Sequence, residues 1–266
     1  MSSPGLPVKD VLVRNCTISS KSCAIKWEQI DFGHCDHGNL QDMTVTNVTI
    51  FNSSRGIGFQ QRNGHGDIKN ITISDVEIST LFPIGTNWWG SAEPIWVTNI
   101  PTVPAEGEPG KLGTIKDVSF RDVRIVSENG MLLSGIGRPI GPISMDGVSL
   151  TLAVRGNASC AKGQPGKAPT GCADYRPVNC PDNDPVPCPW KGVDQSGVVP
   201  SDTAGLRVEG SGTARLRDVS IAFAAAGPRP PYWAKACVEN ASLPRAVDPH
   251  AQGFRLEGQP RCAGAG

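Results

Sequence analysis

The chain has 266 residues, and its 25 lysines and arginines balance 25 aspartates and glutamates, so the formal net charge is zero. This balance argues against a nucleic-acid binder, whose affinity depends on clustered basic residues. No apolar run approaches the roughly 18 residues of a membrane span. The 31 glycines and 23 prolines, spread along the whole chain, argue against a long helical bundle and favour a β-type domain.

A short pattern recurs along the chain: two apolar residues in alternation, then Asn, Asp or Gly, then Ile or Leu three residues later. Its turn position falls at Asn15, Asn47, Asp75, Asp122, Gly147 and Asp218. The alternation indicates a half-buried strand, and Asn, Asp and Gly tolerate the left-handed backbone of a sharp bend. A second short apolar segment follows three of the copies, at 23–26, 56–59 and 131–133.

Strand, bend and strand, repeated in this way, predict an all-β fold in the form of a parallel β-helix. The alternative, a β-sandwich, is expected to show hairpin turns every 8–12 residues or so, and these signals are missing. The predicted organisation is β-helix rungs over 1–150, a Cys-, Pro- and Gly-rich insertion over 151–205, a final β segment over 206–223 and an irregular tail over 224–266.

The cysteines bear on the cellular compartment. Four of the nine lie in the insertion: Cys160, Cys172, Cys180 and Cys188. Disulfides are favoured there, because the spacing lacks the CxxC pairs of a zinc site. Cys237 and Cys262 are candidates for pinning the tail. Six Asn-x-Ser/Thr motifs also suggest secretion, although residues 1–7 lack the apolar core of a signal peptide.

The repeats resemble those of glycoside hydrolase family 28, the polygalacturonase-like enzymes. The matching segments are VKDVLVRNCTISSKSCAIK (8–26), NSSRGIGFQQRNGHGDIKNITISDVEI (52–78), NWWGSAEPIWVTNIP (87–101) and GTIKDVSFRDVRIVSENGMLLSG (113–135), with a weaker echo in ADYRP (173–177). The resemblance implies a right-handed, pectin lyase-like β-helix that hydrolyses O-glycosidic bonds of acidic, pectin-type polysaccharide. It also implies an extracellular or cell-wall location, a monomer in the full-length form, no cofactor or metal, and no nucleic-acid or membrane partner.

The catalytic motifs of that family do not match this chain. Inverting glycosidases need two carboxyl groups roughly 6.5–9.5 Å apart, and the chain has no Asp-Asp pair. The family's substrate clamp falls at Gly58-Phe59-Gln60, and Gly64-His65-Gly66 is better explained as a turn. We therefore expect the catalytic aspartates upstream of Met1 and no activity from this chain alone. The alternative is a non-catalytic β-helix with a carbohydrate-binding or structural role, while a lyase would need a cluster of acidic Ca²⁺ ligands that the sequence lacks.

A β-helix binds polysaccharide along one face, so polar and aromatic residues near strand ends are the candidates. The predicted substrate-binding residues are Lys26, Arg55, Gln60, Arg62, Trp88, Trp89 and Glu93. Lys and Arg suit a uronate carboxylate, and tryptophan stacks on sugar rings. Weaker catalytic candidates are Glu28, Asp36 and His37. For each of these residues, a plain surface or packing role is the alternative.

Overall fold

A computed structural model gives the structure of the chain, and it describes residues 6–30, 38–62, 64–81, 92–99, 113–153, 204–224, 237–241 and 253–264. Only the backbone is described at Ile30, Arg62, Gly137 and Ala241. The strands in these ranges are β1 (Val8–Ile18), β2 (Cys23–Ile30), β3 (Leu40–Ser53), β4 (Arg55–Arg62), β5 (Ile68–Thr80), β6 (Ile95–Asn99), β7 (Ile115–Ser127), β8 (Met131–Asp146), β9 (Ser149–Leu152), β10 (Leu206–Arg217), β11 (Ser220–Phe223), β12 (Val238–Ala241), β13 (Phe254–Glu257) and β14 (Arg261–Ala263). The described residues contain no helix, so the predicted all-β class is confirmed.

All the pairings among these strands are parallel, and strands pair with those of the next turn of the chain. β7 and β8 are sequence neighbours that also pair. The main path through the sheet runs β1-β3-β5-β7-β8-β6-β4-β2. β8 joins the two stacks, because its first half pairs with β6 and its second half with β7. β10 continues β8 in the same way over both halves.

The strands form three faces of a parallel β solenoid. The first face contains β2, β4, β6, the first halves of β8 and β10, and β12. The second contains the first parts of β1, β3, β5 and β7, the second halves of β8 and β10, and β13. The third contains the last residues of β1, β3, β5 and β7, followed by β9, β11 and β14.

Left-handed residues bend the chain between the second and third faces. All six predicted turn positions, from Asn15 to Asp218, have φ between 49° and 65°. A second column five residues earlier was not predicted: Asp10, Asp42, Asn70 and Asp117, with φ between 53° and 58°. Side-chain hydrogen bonds join neighbouring bends, from Asn47 Nδ2 to Asn15 Oδ1 at 2.8 Å and from Asn70 Nδ2 to Asp42 Oδ1 at 2.6 Å. These asparagines therefore have a structural role, as their position in the strand pattern suggests.

The hydrophobic core lies between the three faces and is built from alternate residues of each strand. Three aromatic side chains pack against one another within it. Trp27 stacks on Phe59 with ring centroids 4.6 Å apart, and Phe120 meets Phe59 edge-on at 6.1 Å. All three are closed to solvent. The alternation read from the sequence therefore identifies the buried positions, because successive side chains of a strand point to opposite sides.

The C-terminal part departs from the prediction of an irregular tail. β12 and β13 pair with β10, and β14 pairs with β11, so these short segments extend all three faces. A disulfide joins Cys237, directly before β12, to Cys262 in β14, with 6.1 Å between their Cα atoms. This is the pairing that the sequence suggests. The four cysteines of the insertion lie outside the described residues. Among the helices and strands described, no helix has the length and apolarity of a membrane span.

Candidate functional site

The outward side of the first solenoid face carries two registered rows of residues, most of them polar. The first row contains Lys26, Gly58, Trp96, Leu132, Arg207 and Glu239. The second row contains Glu28, Gln60, Thr98, Ser134 and Glu209. Neighbouring members of a row lie on adjacent strands, about 4.8 Å apart. We call these two rows, together with Arg55 and Glu93, the outer face.

The alternation of side chains fixes which residues point outward. Ile95 and Val97 of β6 point into the core. The alternating residues of the same strand, Trp96 and Thr98, therefore point away from it. Trp96 packs instead with Leu132 in a separate apolar cluster. Gly58 allows this packing, because a Cβ there would lie 2.9 Å from Cys23 Sγ and 3.4 Å from the Trp96 ring.

A buried ion pair lies at the N-terminal ends of β4 and β6. Arg55 donates to Glu93 from Nε at 3.1 Å and from Nη2 at 3.0 Å. Its guanidinium also lies over the Trp96 ring, 3.8 Å from the centroid. Arg55 and Glu93 are 1% and 0% exposed. The sequence predicts both as sugar contacts; in this structure each satisfies the other, and together they position the indole of Trp96.

Lys26 and Glu28 form the next charged pair, on the outward side of β2. The Nζ of Lys26 lies 2.5 Å from Glu28 Oε1, and about a fifth of each side chain is exposed. Burial lowers the pKa of Lys26, while the charge of Glu28 and its hydrogen bond oppose the shift. The lysine is thus a paired mid-strand residue rather than a solvated strand end.

A buried polar network lies at the other end of the outer face, on β8, β10 and β12. Ser134 Oγ donates to Glu209 Oε1 at 2.9 Å, and Arg207 Nε donates to Glu209 Oε2 at 3.1 Å. Arg207 Nη1 reaches Glu239 Oε2, also at 3.1 Å. Arg207 and Glu209 are 5% and 2% exposed, whereas Glu239 is half-buried. One guanidinium therefore links two carboxylates from neighbouring strands.

The centre of the outer face holds polar atoms that have no hydrogen-bond partner. They are both amide atoms of Gln60, the hydroxyl of Thr98 and the indole nitrogen of Trp96. Gln60 and Thr98 are register partners on β4 and β6, and all three residues are at most 1% exposed. A buried polar atom without a partner costs about 1–3 kcal/mol. These three neighbouring residues, which we call the unpaired patch, therefore need a ligand or water to complete their bonding.

The inward row beside them differs in its bonding. The amides of Gln29, Gln61 and Asn99 point into the solenoid, and each donates to a glycine carbonyl oxygen shortly before the start of a later strand. Their side-chain oxygens lack partners, but each amide is anchored by its nitrogen. In Gln60, by contrast, neither the nitrogen nor the oxygen is bonded.

The described residues bring together four of the predicted site positions besides Glu28: Lys26, Arg55, Gln60 and Glu93. Asp36, His37, Trp88 and Trp89 lie outside the described residues, and Arg62 is described only in its backbone, at the end of β4. His65, in the Gly-His-Gly turn, is exposed and away from the outer face.

Sequence reasoning missed Trp96, Thr98, Ser134, Arg207 and Glu209. The alternation of apolar residues was a usable signal, because each of these five residues directly follows an inward-pointing apolar residue of β6, β8 or β10. The alternation does not give the register between strands, and that register is what brings these five residues together. Within the described ranges, no group of three or more His, Cys, Asp or Glu side chains is placed to hold a metal ion.

The chain matches no family model, no curated protein and no solved structure. The site's function is therefore argued from its own chemistry.

Proposed function

We propose that the protein is a right-handed, pectin lyase-like β-helix that binds an extended, pectin-type polysaccharide along the outer face. The handedness follows the general preference of parallel β connections, which are right-handed in about 98% of cases. The three parallel faces agree with that fold, and so does the resemblance of residues 8–150 to the polygalacturonase-like repeats.

The observation that carries the proposal is the unpaired patch of Gln60, Trp96 and Thr98. An amide and a hydroxyl can each donate and accept a hydrogen bond, which matches the hydroxyl groups of a sugar. The apolar side chains of Trp96 and Leu132 lie beside them, as in sites that combine apolar surface with a few placed polar groups. Rows that repeat every strand, about 4.8 Å apart, suit a polymer with a regular repeat.

The outer face supports binding more directly than hydrolysis. Glu28 and Glu209 lie on β2 and β10, four strand spacings apart, which is roughly 19 Å and well beyond the roughly 6.5–9.5 Å of an inverting pair. Glu209 and Glu239 lie closer together, on neighbouring strands, but Arg207 binds both of them. The hydrolase activity that the resemblance implies therefore needs carboxylates other than these. We expect this chain to bind polysaccharide without cleaving it, and release of reducing ends from pectin by the purified chain would contradict that expectation.

The proposal is tested with two near-isosteric variants of the unpaired patch, Thr98→Val and Gln60→Leu. Each removes hydrogen-bonding atoms that have no partner in the protein, so the free energy of unfolding stays level or rises. Affinity for a pectin preparation with acidic and neutral stretches, measured by calorimetry, falls about tenfold, the loss of roughly one good hydrogen bond.

Thr49→Val is the control, because Thr49 is exposed on β3, away from the first face. We expect its affinity to equal that of the wild type. Because the unpaired patch is closed to solvent, the proposal predicts association slower than diffusional encounter. Unchanged affinity in the Gln60→Leu, Thr98→Val double variant would exclude the patch as the binding site.

A further inference from the structure

The charges of the outer face are compensated within the protein. Three cationic side chains belong to the described part of this face, and each contacts a carboxylate. The pairs are Lys26 with Glu28 at 2.5 Å, Arg55 with Glu93 at 3.0 Å, and Arg207 with Glu209 and Glu239, both at 3.1 Å. Since four carboxylates face three cations, the described outer face has a slight excess of negative charge.

Because these ion pairs are buried, they affect which ligand charge the outer face accepts. Arg55, Glu93, Arg207 and Glu209 are all at most 5% exposed, so solvent ions screen them much less than surface charges. A ligand carboxylate would have to displace a protein carboxylate from a bidentate or shared guanidinium, or lie beside it and be repelled. The groups left for a ligand in the unpaired patch, the Gln60 amide and the Thr98 hydroxyl, carry no charge.

We infer that the outer face takes an uncharged stretch of polysaccharide, such as galactan or methyl-esterified galacturonan, and discriminates against free uronates. This inference rests on the proposed function, because it specifies the substrate class of the same site. It replaces the sequence-based expectation that Lys26 and Arg55 hold the carboxylates of an acidic polymer, since both already bind glutamates.

The test uses polymers with one backbone and different charge. Polygalacturonate and its fully methyl-esterified form differ only at the carboxyl group, and a neutral galactan serves as a second uncharged probe. We expect at least about tenfold tighter binding to one of the uncharged polymers than to polygalacturonate at low salt. Preference for polygalacturonate overturns this inference and leaves the proposed function standing. Binding to none of the three overturns both.

A gain-of-function variant tests the physical cause. Glu28→Gln keeps the shape of the side chain but removes the carboxylate that neutralises Lys26. Affinity for polygalacturonate should then rise about tenfold at pH 6, the size of one charge-assisted hydrogen bond, and the gain should shrink with added salt. The gain should exceed any change in affinity for the uncharged polymers, so the preference for them over polygalacturonate should shrink.

Glu77→Gln is the matched control, because it makes the same charge change on the opposite side of the solenoid. Glu77 lies on β5 and pairs with Arg124 on β7, and both side chains are more than half exposed. If Glu28→Gln gains no affinity for polygalacturonate, or if Glu77→Gln gains as much, pairing within the outer face does not set the selectivity and the inference is wrong.

Discussion

Arg55 and Glu93 form a two-point ion pair that is almost wholly closed to solvent, with N–O distances of 3.0 and 3.1 Å. They are 38 residues apart in the chain and join the start of β4 to the segment that leads into β6. The pair also holds the guanidinium against Trp96. One contact thus connects two rungs of the solenoid and places an aromatic side chain of the outer face.

Breaking this pair from one side should be strongly destabilising. Glu93→Gln leaves the charge of Arg55 buried without its carboxylate, and the expected loss is about 3–5 kcal/mol. Urea unfolding followed by circular dichroism measures it. Glu77→Gln, which breaks the exposed pair with Arg124, should change stability little. A Glu93→Gln variant as stable as Glu77→Gln would show that the buried pair does not stabilise the fold.

The stacked aromatic core makes a second prediction. Phe59 contacts Trp27 on one side and Phe120 on the other, and all three are closed to solvent. Phe59→Ala should cost about 3–5 kcal/mol, because it removes apolar contacts and leaves a cavity. Phe51→Ala is the control, since Phe51 is 43% exposed and should lose little. Equal denaturant midpoints for the two variants would contradict the arrangement of the core.

The left-handed bends make a third prediction. Asp122 has a φ of 51° and continues the column of Asn47 and Asp75. Glycine adopts this backbone without strain, whereas a β-branched residue does so poorly. Asp122→Val should therefore be less stable than Asp122→Gly by about 1–2 kcal/mol. The difference between their urea midpoints measures this, and equal stability would mean that the backbone at 122 relaxes out of the left-handed region.

These bends show what the sequence could establish. Asn, Asp and Gly at fixed distances from alternating apolar residues are a local signal, and local signals predicted the positive φ at all six turns. The preceding column, from Asp10 to Asp117, carries the same residue types but lies before the apolar alternation. From the sequence alone, these residues look like ordinary polar positions. Only the register of the paired strands shows that they form a column.

The outer face was less predictable, because it depends on long-range register. Lys26 and Glu28 could be chosen from their place after an apolar run, and their pairing is local, because they lie two residues apart on one strand. Glu209 reaches Ser134 across 75 residues of sequence, and no local pattern connects the two. The C-terminal strands are three or four residues long, too short for alternation to distinguish them from irregular chain.

The half-buried thiol of Cys23, beside the outer face, makes a fourth prediction. Burial raises the pKa of Cys23 to about 11, while the charges of Arg55 and Lys26 act in the opposite direction. The thiolate is the reactive form, so native Cys23 should react with iodoacetamide at pH 8 at least about tenfold more slowly than the exposed Cys16. Peptide-resolved mass spectrometry measures both rates in one sample. If Cys23 and Cys16 are labelled at equal rates both in the folded protein and in urea, that result would contradict the burial of Cys23.

A carboxylate that joins two turns of the chain makes the fifth prediction, on pH. Asp67 Oδ1 accepts hydrogen bonds from Thr114 N at 2.9 Å and from Thr114 Oγ1 at 2.8 Å. Partial burial alone would raise the pKa of Asp67, but these bonds, with the charges of Lys116 and Lys69, outweigh it and hold the pKa below its usual value. Its stabilising contribution is therefore complete well above the ordinary pKa of 3.8 and is lost as the pH falls through the lower folded value.

Asp67→Asn separates this carboxylate from the other acidic groups, because asparagine keeps one acceptor oxygen but does not titrate. The free energy of unfolding is measured by urea titration for both proteins at pH 6, 5, 4 and 3. The wild type should be the more stable at pH 6, and the difference should narrow toward pH 3 as Asp67 becomes protonated first in the unfolded state. Since the side chain is partly exposed, salt should reduce the difference at pH 6. A difference that stays constant from pH 6 to pH 3 would show that the ionised form of Asp67 is not what joins the two turns.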